Sequence, residues 1–591
     1  MSAWDLFIIL VYFTIVIGLG FWYKSKAAEN LEAYFLGGRR IHWMTLAMSG
    51  SVSNFDITGT MWIISILYVL GMKSMWHHWM WGFLMGAFFL AYMGKWVRRS
   101  GVMTAAEWMV TRFGDDRPGR TARTAYALMA ILTQASFLGY AFQGIGKFAA
   151  VYIPLERLAT LTGQPWLETL LIEKEPQVLA VAIIGLTTLY VILGGLFGVV
   201  ITDVIQTVIL TLSSVVIAAM AWSRMDAHAL SRLPDGFLSL KVPWKIPELT
   251  GTENAAFTYF GALVMVWVLK GVLLNSGGPA QMYDFQRFLA ARSDRDAAKV
   301  GAAWSVFLVV RWAMAMGIVL LALSGTLGVT DSEQVMPVVL RDMLPAGLRG
   351  LVIAGLLAAF MSTFSSTVNS GASFLVRDIW QKFLRPRASE RQAIRFSYLS
   401  NLIVVGLGIA IGFQSRSIAD IWNWMMMALG AGVIVPNVLR WYWWRMNGWG
   451  YAWGTLGGLL LSMAAFFHKG LPDFILFPAI VAASALLSIV GSLRTPPVET
   501  RIIQAFYASI RPFGLWGPVR RNLARTHGPD RRKHDSYGIV ILNTLMGMLA
   551  VLALYLAPMF LVAHAYARAG FWAVLAAACV VILRFTWYQR L

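Results

Sequence analysis

Cysteine is almost absent. One thiol, Cys579, in 591 residues excludes a disulfide framework and a cysteine metal site, and it leaves the redox compartment unreadable. Charge is scarce too: 13% of residues are Asp, Glu, Lys or Arg against 58% hydrophobic, a balance outside the range of soluble globular domains. No stretch is long and polar enough for a separate soluble domain, and no nucleophile–base spacing, metal motif or phosphate loop is present. Acidic residues are the scarcer sign, 29 against 49 Lys and Arg, for a formal charge of +20. That excess raises nucleic acid as a partner, but the basic residues fall in alternate loops instead of one stripe or a recognised motif, so no nucleic acid is expected. The positive-inside rule accounts for them.

What the chain has instead is apolar runs long enough to cross a bilayer core of about 30 Å. They fall near 4–23, 44–70, 76–97, 124–152, 177–198, 200–223, 256–278, 299–328, 348–378, 395–414, 419–443, 450–467, 473–492, 537–562 and 569–589. The expectation is an all-α polytopic membrane protein of about fifteen transmembrane helices. The first run, Leu6 to Trp22, has no basic residue before it and no small-residue cleavage site, so it reads as a retained span rather than a signal peptide. With the N-terminus outside and the C-terminus cytoplasmic, Arg39 and Arg40, Arg98 to Arg123, Arg287 to Lys299, Arg385 to Arg395 and Arg494 to Lys533 all face inward. The outward loop 153–176 then carries Glu156, Glu168, Glu173 and Glu175. Within the basic loop 493–536, Ile502, Ile503, Phe506, Tyr507 and Ile510 recur at helical spacing, which fits an amphipathic helix on the inner leaflet as well as a basic linker.

Ser362, Thr363, Ser365, Ser366 and Asn369 crowd into two turns of the apolar run 351–375. At i,i+4 spacing their oxygens form a patch that lipid does not tolerate, so the patch faces protein, water or an ion. A second dense polar stretch, Ser49-Gly50-Ser51-Val52-Ser53-Asn54-Phe55-Asp56-Ile57-Thr58-Gly59-Thr60, weakens a regular helix. An opened helix frees carbonyl oxygens of the kind that coordinate Na⁺ near the bilayer midplane in transporters; tight packing through small residues is the plainer alternative. Asp203, near the start of the helix that follows an expected tight turn at Gly194-Gly195, either caps that helix or joins the hydroxyl patch in an oxygen-only cation site, which suits a hard ion. Arg311 and Lys270 sit well inside apolar runs with Gln134, Gln143, Lys147 and Asn423, and Arg311 either pairs with Asp56 or Asp284 or binds solute. Trp76-His77-His78-Trp79 with Trp81 forms either an interfacial aromatic belt or one wall of a solute pocket.

These residues resemble the sodium/solute symporter family, carriers of sugars, proline, pantothenate and sialic acid. The resemblance rests on Tyr34-Phe35-Leu36-Gly37-Gly38-Arg39, Trp43 through Asn54 to Tyr68 with Gly71 and Trp79, Tyr190 to Gln206, Gln286 to Ser293, and Gly350 to Trp380, and spans residues 5 to 450 or so. It implies the leucine-transporter-like inverted repeat: 1–43 an extra helix and cytoplasmic loop, 44–223 the first five-helix repeat, 256–443 the second, and 444–591 extra C-terminal helices. Carried across by position, it implies a main sodium site from carbonyls near Val52 and Phe55, the carbonyl of Ala359 and the hydroxyls of Ser362 and Thr363. A second sodium is implied at Asp203, Ser365 and Ser366. The solute set it implies is Asn54, Asp56, His78, Trp81, Gln281, Tyr283, Arg311 and Asn423. Gly59, His78 and Leu308 stand where sugar carriers place Gln, Glu and Lys, so a sugar pattern is missing. The expected activity is sodium-driven import of a small polar solute by alternating access, with a proton-coupled carrier, a solute sensor of the same fold and a membrane transferase as the alternatives.

Overall fold

The computed structural model describes residues 1–27, 39, 41–78, 84–102, 104–156, 164–252, 254–278, 282–324, 327–415, 417–467, 472–527 and 536–591. Among these residues there is no strand; isolated bridges join Ile41 to Ala291 and Trp443 to Leu515. Among the described residues, ten helices are long and apolar enough to cross a membrane, and three shorter apolar helices accompany them. The expected span 76–97 is divided, its helical part running as Met85–Phe88, a widened π-helical turn Phe89–Met93, and Gly94–Arg99. The turn expected at Gly194–Gly195 is itself helical: one helix runs from Glu175 to Arg224. Two glycines weaken a helix by about 1 kcal/mol each without forbidding it. Asp203 therefore lies in a helix interior and caps nothing.

The first interrupted helix forms as its composition implies. Trp43–Ser53 ends where the Asn54 N–H turns back to the carbonyls of Ser51 and Val52. Asp56, in extended conformation, restarts it as Ile57–Leu70 by accepting the Gly59 N–H at 2.9 Å, the work of an N-cap carboxylate. A second interruption was not foreseen. Phe260–Ser276 stops at Gly277 and Gly278, the latter at φ +118°, and the chain resumes as the helix Met282–Ala290. The freed carbonyl of Gly277 is satisfied by the Trp441 indole N–H (2.9 Å) and the Arg440 guanidinium (3.3 Å).

The hydroxyl helix, Leu348–Phe374, is buried along almost its whole length and widens into a π-helical segment to Leu384. Its hydroxyls bond back to their own backbone, Thr367 to the Thr363 carbonyl at 2.7 Å and Ser365 to the Ser362 carbonyl at 3.0 Å, which lowers the cost of burying them. Helices Gly448–Phe467 and Asp473–Arg494 meet through small residues: a Cβ on Gly450 or Gly454 would collide with Ser492 or Ser488. The amphipathic segment is the helix Thr500–Ile510. Its apolar face packs on protein and not on a leaflet, with Phe506 against Trp108 and under the Arg112 guanidinium.

Candidate functional site

Ser362 and Thr363 meet the break in the first interrupted helix. The Thr363 hydroxyl donates to the Ser53 carbonyl at 2.6 Å and lies 3.1 Å from the Ala359 carbonyl, while the Ser362 and Ser53 hydroxyls are 3.3 Å apart. Val52 and Phe55 flank Ser53 and are buried with Ala359, Ser362 and Thr363. The donors gathered here are neutral oxygens, a set that suits a hard monovalent cation better than a soft or divalent metal. Among the described residues no cluster of three His, Cys, Asp or Glu is placed to hold a metal.

Beside this group lies Asp203, fully buried. Ser49 donates its hydroxyl to the Asp203 carboxylate, and Arg287, from the second half of the second interrupted helix, stands 3.7 Å from the same oxygen. The guanidinium of Arg287 also donates to Ser49 (3.1 Å), to Ser366 (2.9 Å) and to Ser53. A buried arginine thus ties both interrupted helices to the hydroxyl helix. Ser366 joins this network through Arg287, whereas the Ser365 hydroxyl turns back to the carbonyl of Ser362.

A cavity of about 60 Å³ opens next to the break, with Asn54, Asp56, Thr363 and Arg311 on one side and His77, His78, Trp62, Trp267 and Trp422 on another. Arg311 is a strut for the break itself. It donates to the Asn54 carbonyl and to the Thr60 hydroxyl (3.1 Å), and its guanidinium is 3.7 Å from Asp56. Of the two partners open to it in the sequence, Asp56 is the one it faces. Of the expected solute residues, Asn54, Asp56, His78 and Arg311 line this cavity together. Asn423 does not: its neighbour Trp422 supplies the wall, one residue being about 100° of helix turn. Trp81 and Gln281 lie outside the described residues, as does the Tyr283 side chain. Gln143 binds the carbonyls of Gly412 and Ser415 at 2.7 Å each, and Lys147 pairs with Glu333, so both are structural ties. Tyr555, on the helix Tyr537–Val562, also lines the cavity and had no signal in the sequence.

The sequence profile of the sodium:solute symporter family matches residues 167–458. The chain is similar to that family over this stretch, just under half of its length. It is 24% identical over 559 residues to a sodium/mannose cotransporter of Bos taurus, covering 85% of this chain and 88% of that protein. To an osmoregulated proline transporter of Bacillus subtilis it is 21% identical, covering 77% and 86%. A solved structure of a Na⁺-coupled sialic acid symporter, substrate-bound and outward-open, superposes with a TM-score of 0.62 at 16% identity, over 84% of this chain and 99% of that one. The protein is an integral membrane protein, and its activity is sodium-coupled transport of a small-molecule solute.

Proposed function

We propose that sodium binds between the break in the first interrupted helix and the hydroxyl helix, at Val52, Phe55, Ala359, Ser362 and Thr363, and that the solute binds in the adjoining cavity between Asp56, Arg311 and His78. The contact of Ser362 and Thr363 with Ser53 carries this reading: it brings hydroxyls and carbonyls from two helices to one place at the edge of the cavity. A sodium ion there would share Thr363 with the cavity wall, so ion and solute would raise each other's affinity by one and the same factor. The repeats 44–223 and 256–443 would then rock about the site, with the N-terminus outside, to release both inward.

One sodium ion per cycle follows from Arg287. Its guanidinium already supplies a positive charge beside Asp203 and engages Ser366, two of the three residues that a second ion would use. The Ser362→Ala, Thr363→Ala double variant, reconstituted in proteoliposomes, tests the main site. Sodium activation of uptake, and the sodium-induced rise in Tm, should weaken at least tenfold with insertion unchanged. Unaltered sodium dependence in that variant removes the site.

A further inference from the structure

A second cavity, about 310 Å³ in volume, lies where the helix Gly94–Arg99 stops and the helix Tyr537–Val562 begins. Three segments bring basic side chains to it: Lys95 and Arg99 come from the first of these helices, Arg511 from the end of the amphipathic helix Thr500–Ile510, and Arg520 from the helix Gly517–His527. Among the described residues the lining holds no carboxylate; Asp294, outside it, engages Arg99 at 3.0 Å. One wall is aromatic, with the Phe513 ring 4.7 Å from both Tyr92 and Trp96 and 6.0 Å from Tyr537. Arg511 stands in the left-handed region at φ +58°, a helix end that glycine or asparagine would occupy with less strain. What arginine adds there is its guanidinium.

The positive-inside rule accounts for basic residues in a loop, but not for four of them folded around one aromatic-walled cavity. Guanidinium groups bind phosphate oxygens through paired N–H donors, and a lysine adds a point charge. Position then says what carries the phosphate. Tyr537, whose hydroxyl is 3.5 Å from the Arg520 guanidinium, opens a stripe at i,i+4 spacing with Ile541 and Leu545, and these three are 53%, 60% and 48% exposed. They lie on a helix long and apolar enough to cross the membrane, so the stripe leading away from the cavity faces hydrocarbon. A soluble phosphate ester or an acidic peptide would engage the basic side chains alone; a phospholipid engages them with its headgroup and the stripe with an acyl chain. With the N-terminus outside, as proposed above, the cavity is on the cytoplasmic side, whose leaflet carries anionic lipids.

We propose that this cavity binds a phosphate ester in the form of an anionic phospholipid, its phosphate among Arg99, Arg511 and Arg520 and an acyl chain along Ile541 and Leu545. The full-length carrier in detergent is tested by native mass spectrometry and thermal unfolding with dioctanoyl phosphatidylglycerol, dioctanoyl phosphatidylcholine and glycerol 3-phosphate. Phosphatidylglycerol should bind and raise Tm. The other two should bind at least about tenfold more weakly, phosphatidylcholine for want of net charge and glycerol 3-phosphate for want of chains. The Arg511→Asn, Arg520→Gln double variant, in which asparagine suits the left-handed backbone, should weaken phosphatidylglycerol at least about tenfold, with the sodium-induced rise in Tm retained. Arg385→Gln with Arg387→Gln, at exposed basic residues of another loop expected on that face, should leave phosphatidylglycerol binding unchanged. The proposal is overturned if phosphatidylcholine matches phosphatidylglycerol, or if both double variants weaken it alike. Glycerol 3-phosphate binding as tightly as the lipid would overturn the lipid as occupant and leave a soluble phosphate ester in its place. Should the first double variant fail to fold, Arg520→Gln alone, at an exposed side chain, carries the same comparison.

Discussion

The hydroxyl helix carries two buried polar clusters of opposite construction. Near its middle, Ser362, Thr363 and Ser366 meet the interrupted helices mainly through neutral hydroxyls and carbonyls, with the Arg287–Asp203 pair beside them. Toward its end, Asp378 is 0% exposed and held by the Arg123 guanidinium at 2.6 Å and the Thr104 hydroxyl at 3.1 Å, while Glu107 joins Arg377 at 3.0 Å and Arg123 at 3.7 Å. Hydroxyls exchange partners at small cost, so a cation can displace their mutual hydrogen bonds. Buried ion pairs do not: losing one partner strands a charge. One helix therefore holds the proposed ion site, whose partners exchange readily, and a latch made to stay closed.

The comparison is broken most forcibly at the latch. Arg123→Met should cost about 3–5 kcal/mol by leaving Asp378 unpaired, read as a large fall in Tm, with the sodium-induced rise in Tm retained. An unchanged Tm would mean that the latch holds nothing. Arg287→Gln comes next: it keeps hydrogen bonds to the serines but removes the charge, for a loss of about 2–3 kcal/mol. With the guanidinium gone, sodium should take its place at Asp203, and the Hill coefficient for sodium should rise from one toward two. A coefficient that stays at one in a folded variant refutes the arginine as resident cation.

How much of this was visible beforehand depends on distance along the chain. The hydroxyl patch and the first interruption were legible because both are local patterns, i,i+4 oxygens in one case and a Gly, Ser, Asn and Asp run in the other. The second interruption has a local signal as well, Gly277-Gly278-Pro279, but at the end of the apolar run 256–278 the same residues fit an ordinary helix end. By contrast, the Arg287 network spans 154 to 238 residues between its contacts with Ser49 and the Ser49–Asp203 bond, and no spacing rule reaches that far. Trp422 against Asn423 failed for a finer reason: a register error of one residue turns a side chain out of the pocket. Gly194-Gly195 misled because glycine permits a turn without requiring one.

Smaller perturbations sharpen the contrast. A Cβ on Gly59 would stand 2.4 Å from the Asp56 carboxylate and 2.9 Å from the Arg311 guanidinium. Gly59→Ala should therefore cost about 1–2 kcal/mol through overpacking and weaken solute binding more than sodium binding; equal weakening of both would place Asp56 and Arg311 in the ion site. Asp115, half exposed and paired with Lys382 at 2.9 Å, is the mildest case. Asp115→Asn should change stability by less than about 1 kcal/mol, checked by thermal unfolding at low and high salt.

Tyr555 reaches the cavity from the helix Tyr537–Val562, which lies beyond both of the proposed repeats. On the proposed function, a segment outside the rocking core would thus have a say in what the carrier accepts. Grafting this tail onto a relative should transplant part of its preference for cargo, leaving the recipient's ion dependence as it was.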